Sequence, residues 1–277
     1  MAPSHFTDLA IPTTNLWSFL FERDSKPFAD DQVLFRHPGS NRHYTFTALK
    51  STAQQFSQTL TTTFCFQKGD VLSLFTTNSI DVPFLTFGAL NIGGIVSPAN
   101  PAYTAGELAF HLKDSGAKLL VTTRALLKTA LAAAKEVGLS DDRILIVGTE
   151  EDADTSLVLP HLSIAKGGSA KNALQTLPPT FKPSQPTAAA HDLAFLVYSS
   201  GTTGVPKGVE LTHHNIISCC LMVAFAEGED KAAGREGLKS GRDKIMSVLP
   251  QYHIYGMPSF CHSIIFQSQD PSTYTNF

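Results

Sequence analysis

The sequence predicts an α/β fold, a mostly parallel sheet covered by helices, and three observations predict it. Short apolar runs suited to buried strands alternate with longer amphipathic runs from Val71 to Val147. Glycines stand where each of those helices should end, at Gly93-Gly94, Gly116 and Gly138. A chain of 277 residues, 43% hydrophobic and only 16% charged, can also bury a sizeable core and is not of the composition that stays disordered.

Taken in order, Leu16, Trp17, Phe19 and Leu20 recur at helical spacing within Thr14 to Glu22. Val33 to Phe35 and His43 to Phe46 read as two short strands around a Pro-Gly-Ser-Asn turn, and a longer helix follows from about Thr47 to Phe64 with Leu49, Ala53, Phe56 and Leu60 on one face. The alternating region then runs strand Val71 to Phe75, helix Ile80 to Ile92, strand Ile95 to Ser97, helix Thr104 to Asp114, strand Lys118 to Thr122, helix Arg124 to Val137 and strand Arg143 to Val147. Strands joined through helices imply right-handed crossovers and a sheet covered on both faces. Thr104-Ala105-Gly106-Glu107 is a capping box, so Glu107 is assigned a structural task, not a catalytic one. Pro98 and Pro101 would stiffen the turn between strand and helix.

From 148 to 191 the pattern dissolves into acidic residues, then Gly167-Gly168-Ser169, then Pro178-Pro179, Pro183 and Pro186, and this stretch is expected to be a surface loop or linker. A strand Leu193 to Val197 follows, and after a polar loop a second apolar segment, Val209 to Leu211. Thr212 can cap a helix from about His213 to Ala226. Histidines in a helix's first turn are more often solvated, and His213 and His214 are given no role. Glu227 to Arg242 is charged and glycine-rich and expected to be exposed. Ile245 to Leu249 is the last strand candidate.

A net charge of -3 leaves no basic footprint for nucleic acid. The four cysteines, Cys65, Cys219, Cys220 and Cys261, show no zinc-ligand spacing; the adjacent pair Cys219 and Cys220 is expected to be small buried thiols, and a reducing compartment fits the set. No metal-ligating set is expected. The N-terminus has no basic region followed by an apolar one, and no run is long enough to span a bilayer, so a soluble cytoplasmic protein is expected.

Two stretches carry chemistry. Tyr198 to Gly208 reads YSSGTTGVPKG, with hydroxyls at Ser199, Ser200, Thr202 and Thr203, glycines at Gly201, Gly204 and Gly208, and a cation at Lys207. Glycines let successive N–H groups approach an anion, and hydroxyls and an ammonium add donors, so polyphosphate is the natural ligand. A plain hairpin loop is the bland alternative. The string is neither a Walker loop, since Pro206 precedes Lys207 and Gly208 follows it, nor G-x-G-x-x-G. The second stretch, Pro250 to Gly256, reads PQYHIYG and stands beyond the last strand candidate, where parallel α/β sheets collect ligands. Taken alone, His253 is more often a hydrogen-bonded structural histidine.

The eleven-residue string resembles the phosphate-binding signature of the adenylate-forming (AMP-binding) superfamily, which includes acyl-CoA synthetases, luciferases and peptide-synthetase adenylation domains. PQYHIY looks like the proline, aromatic, histidine motif of 4-coumarate:CoA ligase-like acyl-CoA ligases, and Gly88 to Leu108 is similar to a helix-turn stretch that the superfamily carries upstream. The resemblance extends from about Ile11 to Gln267. It implies that Ser199, Ser200, Gly201, Thr202, Thr203 and Lys207 bind ATP phosphates. It further implies that His253 is catalytic at the border of the acyl and ATP sites, and that Tyr255 and Ser259 bind substrate. The implied reaction is ATP-dependent activation of an aryl or fatty carboxylic acid through an acyl-adenylate to a coenzyme A thioester, with Mg2+ accompanying the nucleotide.

The resemblance also sets expectations about extent. Residues 1–277 are expected to form a partial N-terminal AMP-binding domain, an incomplete version of the superfamily's fold, with 268–277 a divergent tail and the lysine-bearing C-terminal domain absent. Two readings stand at this point, an acyl-CoA ligase (acid-thiol ligase, AMP-forming) by kinship and a truncated fragment with at most weak nucleotide or partner binding, and this chain is expected to be inactive. A peroxisomal location is conceivable for a longer form.

Overall fold

The chain enters its fold through α1 (Leu16–Phe21), capped by Asn15, whose side chain accepts a hydrogen bond from the Ser18 amide at 2.8 Å. The computed structural model describes residues 10–24, 26, 28–148, 162–164, 192–199, 206–229, 246–257 and 265. A small antiparallel pair, β1 (Val33–Arg36) and β2 (His43–Thr45), leads directly into the long helix α2 (Phe46–Phe64). There Thr45 caps the first turn, and the last turn closes on Cys65 in the left-handed region at φ 51°.

The alternation predicted between Val71 and Val147 is present: β3 (Val71–Phe75), α3 (Val82–Asn91), β4 (Ile95–Pro98), α4 (Ala105–Ser115), β5 (Ala117–Thr122), α5 (Leu127–Val137) and β6 (Ile144–Val147). The capping box of α4 is made on both sides, with the Glu107 amide donating to Thr104 and the Thr104 amide donating to Glu107. Gly116 and Gly138 end α4 and α5 at φ 67° and 74°, a conformation that costs a side chain and suits glycine. Pro98 is the last residue of β4, beside Leu74, so only Pro101 lies in the turn beyond the strand.

Three further strands complete the sheet: β7 (Leu162–Ile164), β8 (Leu193–Ser199) and β9 (Lys207–Thr212), the last running into α6 (His213–Glu229). The order is β7-β6-β5-β3-β4-β8-β9. β6, β5, β3, β4 and β8 are mutually parallel, and β7 and β9 flank them antiparallel. Both faces are covered, as the pleat requires. Along β5, Leu119 and Val121 join one cluster with α1, α2, α3 and α6, while Leu120 joins the other with α4 and α5. Every residue of α3 is buried, and its sequence is apolar on all sides, as expected of a helix enclosed between a sheet and other helices. Phe56, Phe84, Phe87 and Phe195 pack in this larger cluster, and each such ring contributes roughly 1.5–3 kcal/mol by leaving water.

Three expectations are corrected. The stretch 148–191 is not wholly a loop, because β7 pairs with β6 within it; its remaining residues past Gly148 lie outside the described ones. The strand expected at Ile245 to Leu249 is absent among its described residues, 246–249. The carbonyls of Ser247 and Leu249, which a neighbouring strand would bind, accept instead from the side-chain amide of Asn78, at 3.3 and 2.9 Å. His213 is not solvated but buried, 1% exposed, and its Nδ1 accepts the Leu16 amide at 3.1 Å, tying α6 to α1. His214 is partly exposed.

Cys220 is buried and Cys219 partly so; burial pushes the Cys220 thiol up to about 12, as an inert core thiol should be. Cys261 and the tail 268–277 lie outside the described residues. Among the described residues, no helix is long and apolar enough to cross a membrane.

Candidate functional site

β8 leaves the sheet at its carboxyl end and β9 returns beside it, in register Tyr198↔Gly208 and Ser199↔Lys207. Antiparallel pairing therefore sets the Ser199 hydroxyl and the Lys207 ammonium across from one another where the ladder ends, both exposed. The bland hairpin reading and the phosphate reading are thus compatible: the pairing is what brings donor and cation together. Ser200, Gly201, Thr202, Thr203 and Ser259 lie outside the described residues.

The base of this hairpin is fixed from behind. The Tyr198 hydroxyl donates to Asp114 Oδ2 at 2.6 Å, and burial together with that carboxylate holds the phenol well above its ordinary range. Its ring lies 4.4 Å from that of His111. Ser97 Oγ donates to the Leu196 carbonyl at 3.0 Å, so the 3.0 Å contact with His111 Nε2 must have the imidazole as donor. Burial lowers the pKa of His111 to about 4, and its Nδ1 has no partner among the described residues, so the ring is neutral near pH 7 with the proton on Nε2. On the other side of Tyr198 stands Gly208, where a Cβ would come within 3.2 Å of the ring.

The second element is the segment 246–257, placed at the carboxyl end of β3 by contacts with residues just beyond that strand. Besides the two carbonyls held by Asn78 Nδ2, Asn78 Oδ1 accepts the Gln251 amide at 2.8 Å, and Gln251 Oε1 accepts the Ser79 amide at 2.9 Å. Beyond this anchor the chain turns tightly: the His253 amide donates to the Pro250 carbonyl at 3.1 Å, and the Met257 amide to the His253 carbonyl at 3.0 Å. His253 is exposed, and its Nδ1 accepts the Tyr255 amide at 3.3 Å, which leaves Nε2 as the donor of the neutral ring. Tyr255 is 66% exposed.

The turn closes on Gly256. A Cβ built there would stand 2.1 Å from the Pro250 carbonyl oxygen and 2.8 Å from its carbon, both backbone atoms that cannot swing aside. Gly256→Ala is expected to open this turn and destabilise the chain by ~1–3 kcal/mol, with chymotrypsin cutting after Tyr252 and Tyr255 well before the rest of the chain. An unchanged urea midpoint and cleavage pattern would contradict it.

The two elements meet at one edge of the sheet. β3 and β8 flank β4, so the strand ends from which the anchored segment and the hairpin extend are about 10 Å apart, two strand spacings. Tyr103, in the turn after β4, lies between them: its phenol is raised by burial and by the neighbouring Glu107 and Tyr252, and its ring is 6.2 Å from that of His111. A cleft of about 800 Å³ lined by Phe66, Asp70, Gly116, Lys118 and Gly138 sits at the opposite edge, beside the amino ends of β3 and β5, and contains none of the candidate residues. Ser199, Lys207 and His253 all lie at the carboxyl edge, where open parallel sheets commonly take ligands. Among the described residues there is no cluster of three or more His, Cys, Asp or Glu able to hold a metal ion.

Sequence reasoning named four of the described residues here, Ser199, Lys207, His253 and Tyr255. It gave no part to Asn78 and Gln251, which anchor the base of the His253 segment, or to His111 and Asp114, which contact Tyr198 next to Ser199. The available signal was Asn78-Ser79 directly after a buried strand, a position where side chains reach the carboxyl edge.

Residues 21–268 match the protein family described as AMP-binding enzyme. The chain is 30% identical over 253 residues to a long-chain-fatty-acid–CoA ligase of Salmonella typhimurium, covering 87% of this chain and 43% of that protein. It is 32% identical over 244 residues to a 4-coumarate–CoA ligase of Pinus taeda, covering 88% of this chain and 40% of the relative. Its fold matches a crystal structure of a long-chain-fatty-acid-CoA ligase from Archaeoglobus fulgidus with a TM-score of 0.71, at 21% identity, over 95% of this chain and 47% of that one. At that identity the structural match speaks for the fold alone. The chain spans less than half the length of the relatives it matches.

Proposed function

The chain belongs to the AMP-binding enzyme family, and from that premise we propose that it serves ATP-dependent activation of an aryl or fatty carboxylic acid, through an acyl-adenylate to a coenzyme A thioester. The observation that carries this reading is the Ser199↔Lys207 pair at the mouth of the β8–β9 hairpin, next but one to the anchored His253 segment. A hydroxyl residue and a lysine set opposite one another in register at the carboxyl edge of a parallel sheet suit the phosphates of a nucleotide. Ser200, Gly201, Thr202 and Thr203 would supply further donors from the same loop.

The obstacle in the first step is repulsion between an anionic carboxylate and polyanionic ATP. Mg2+ bound to the nucleotide would neutralise part of that charge. Lys207 would offset charge as pyrophosphate leaves from the α-phosphate, and Ser199 would orient the chain of phosphates. Both effects are positioning and electrostatics, and neither requires a protein nucleophile. His253, with Nε2 as donor, would sit at the boundary between acyl group and phosphate, and Tyr255 and Ser259 would line the acyl side. The thioester step then needs coenzyme A thiolate to displace AMP.

Carboxylate-dependent exchange of pyrophosphate into ATP tests the first step. Exchange by this chain is expected to fall about a hundredfold or more in Lys207→Ala, the scale of losing one fixed donor to a developing anion. It should fall in His253→Ala as well. ATP binding without exchange would instead favour a nucleotide-binding chain that does not activate an acid, and neither binding nor exchange would remove the proposal.

A further inference from the structure

We propose that Asn78 and Gln251 are positioning residues: a reciprocal pair of side-chain amides that docks segment 247–257 on the carboxyl end of β3 and so fixes His253 and Tyr255 beside the phosphate hairpin. The inference rests on the acyl-side reading of that segment given above.

Four hydrogen bonds join stretches about 170 residues apart in sequence, and all four involve one of these two amides. The carbonyls that Asn78 Nδ2 holds belong to Ser247 and Leu249, two residues apart, and in extended chain such carbonyls point the same way. One NH2 group thus does what the edge of a partner strand would do, and the segment joins the sheet without becoming part of the ladder. Asn78 Oδ1 then fixes the amide of Gln251, whose own side chain, 3% exposed, returns to the Ser79 amide. No charge is involved, so the docking adds no field of its own to a site that must hold a carboxylate and phosphates. Two residues beyond Gln251 the chain is exposed at His253, Ile254 and Tyr255, so the anchor holds the base of the segment and leaves its tip open to a ligand.

Asn78→Asp tests this with the shape and the Oδ1 acceptor retained: it removes the two donors and sets a negatively charged carboxylate against two carbonyls. Deuterium uptake of the full chain, read by mass spectrometry, is expected to become ~10-fold or more faster in peptides covering 246–257 while peptides within 117–147 keep their rates. Gln251→Met, which removes one acceptor and keeps the volume, should act in the same direction and less. In the pyrophosphate exchange assay KM for the carboxylic acid should rise ~10-fold while KM for ATP stays within about twofold, a split that general loss of stability does not produce. Unchanged uptake in 246–257, or equal rises in both KM values, would overturn the proposal. Should the unaltered chain show no carboxylate-dependent exchange, the functional reading above fails separately, and deuterium uptake alone decides whether the amide pair docks the segment.

Discussion

Acidification from pH 7 to pH 4 is expected to destabilise the chain by on the order of 3 kcal/mol for each of two buried histidines, His111 and His213. Both are lowered from the ordinary 6.5 to about 4, in each case chiefly by burial. Asp114 opposes the shift at His111; at His213, Asp192 opposes it and Lys68 adds to it. The structures explain why the neutral ring is preferred. His213 Nδ1 accepts the Leu16 amide and would lose that bond on protonation, while His111 Nδ1 is buried with no acceptor for a new proton among the described residues. A folded pKa below the unfolded one means that the unfolded chain takes up protons first. Stability is therefore complete above about pH 6.5 and declines as pH falls through the window from 6.5 to 4. Against a total of roughly 5–15 kcal/mol for an ordinary domain, the joint effect is large enough to unfold the chain near the bottom of that window. Urea titrations at pH 7.5, 6 and 5 measure the slope. His213→Asn keeps an acceptor for the Leu16 amide and removes the titrating group, so it should flatten the slope by about half; an unchanged slope would place the acid sensitivity elsewhere.

Asp81→Ala is expected to cost ~3–5 kcal/mol, the range for leaving one partner of a buried ion pair alone. Asp81 is 2% exposed, and its Oδ1 receives Arg42 Nη2 at 2.6 Å and the Tyr44 hydroxyl at 2.8 Å. Burial by itself would lower the pKa of Arg42, but Asp81 and Tyr44 more than offset it and the guanidinium is raised. Burial first and Asp81 second hold the Tyr44 phenol far above its ordinary range. The network ties the β1–β2 pair to the turn that precedes α3. Removing all three polar groups together, as Arg42→Met with Tyr44→Phe and Asp81→Leu, should cost much less than Asp81→Ala alone, since no uncompensated charge then remains. Chemical denaturation of the single and triple variants measures the difference, and equal losses would show that packing, not charge pairing, dominates at this position.

These two networks also show what the residues disclosed in advance and what they did not. The order of strands and helices from Val71 to Val147 was legible because hydrophobic period and glycine stops are local properties. So was the capping box at Thr104. The burial of His213 was not legible, because it depends on α1, some two hundred residues away, supplying the Leu16 amide. The failed strand at 246–249 has the same cause: its apolar pattern is that of a strand, but Asn78 occupies the carbonyls that a ladder would need. β7 escaped notice because three residues, Leu162 to Ile164, are too few for a period to register in a polar stretch. In the candidate site, the side chains suited to a ligand were visible as a motif, and the amides and aromatic rings that hold them were not. Support of that kind is a matter of tertiary contact, and Tyr198, Asp114 and His111 carry no pattern that joins them before the chain is folded.

The strand order has a consequence for how the protein is made. β8 lies beside β4, yet the whole of β5, β6 and β7 separates them along the chain. A ribosome adding some 5–20 residues each second delivers the β3 to β6 unit, whose contacts span neighbouring elements, before β8 exists as polypeptide. Through that interval the flank of β4 is an unpaired edge, a template for pairing with another chain. Closing it requires the ends of a long loop to meet, an entropic cost that grows only slowly with length but is incurred late. The nascent chain is most vulnerable to misassembly in the seconds before the β8–β9 hairpin arrives, because pairing with β8 is what covers the flank of β4.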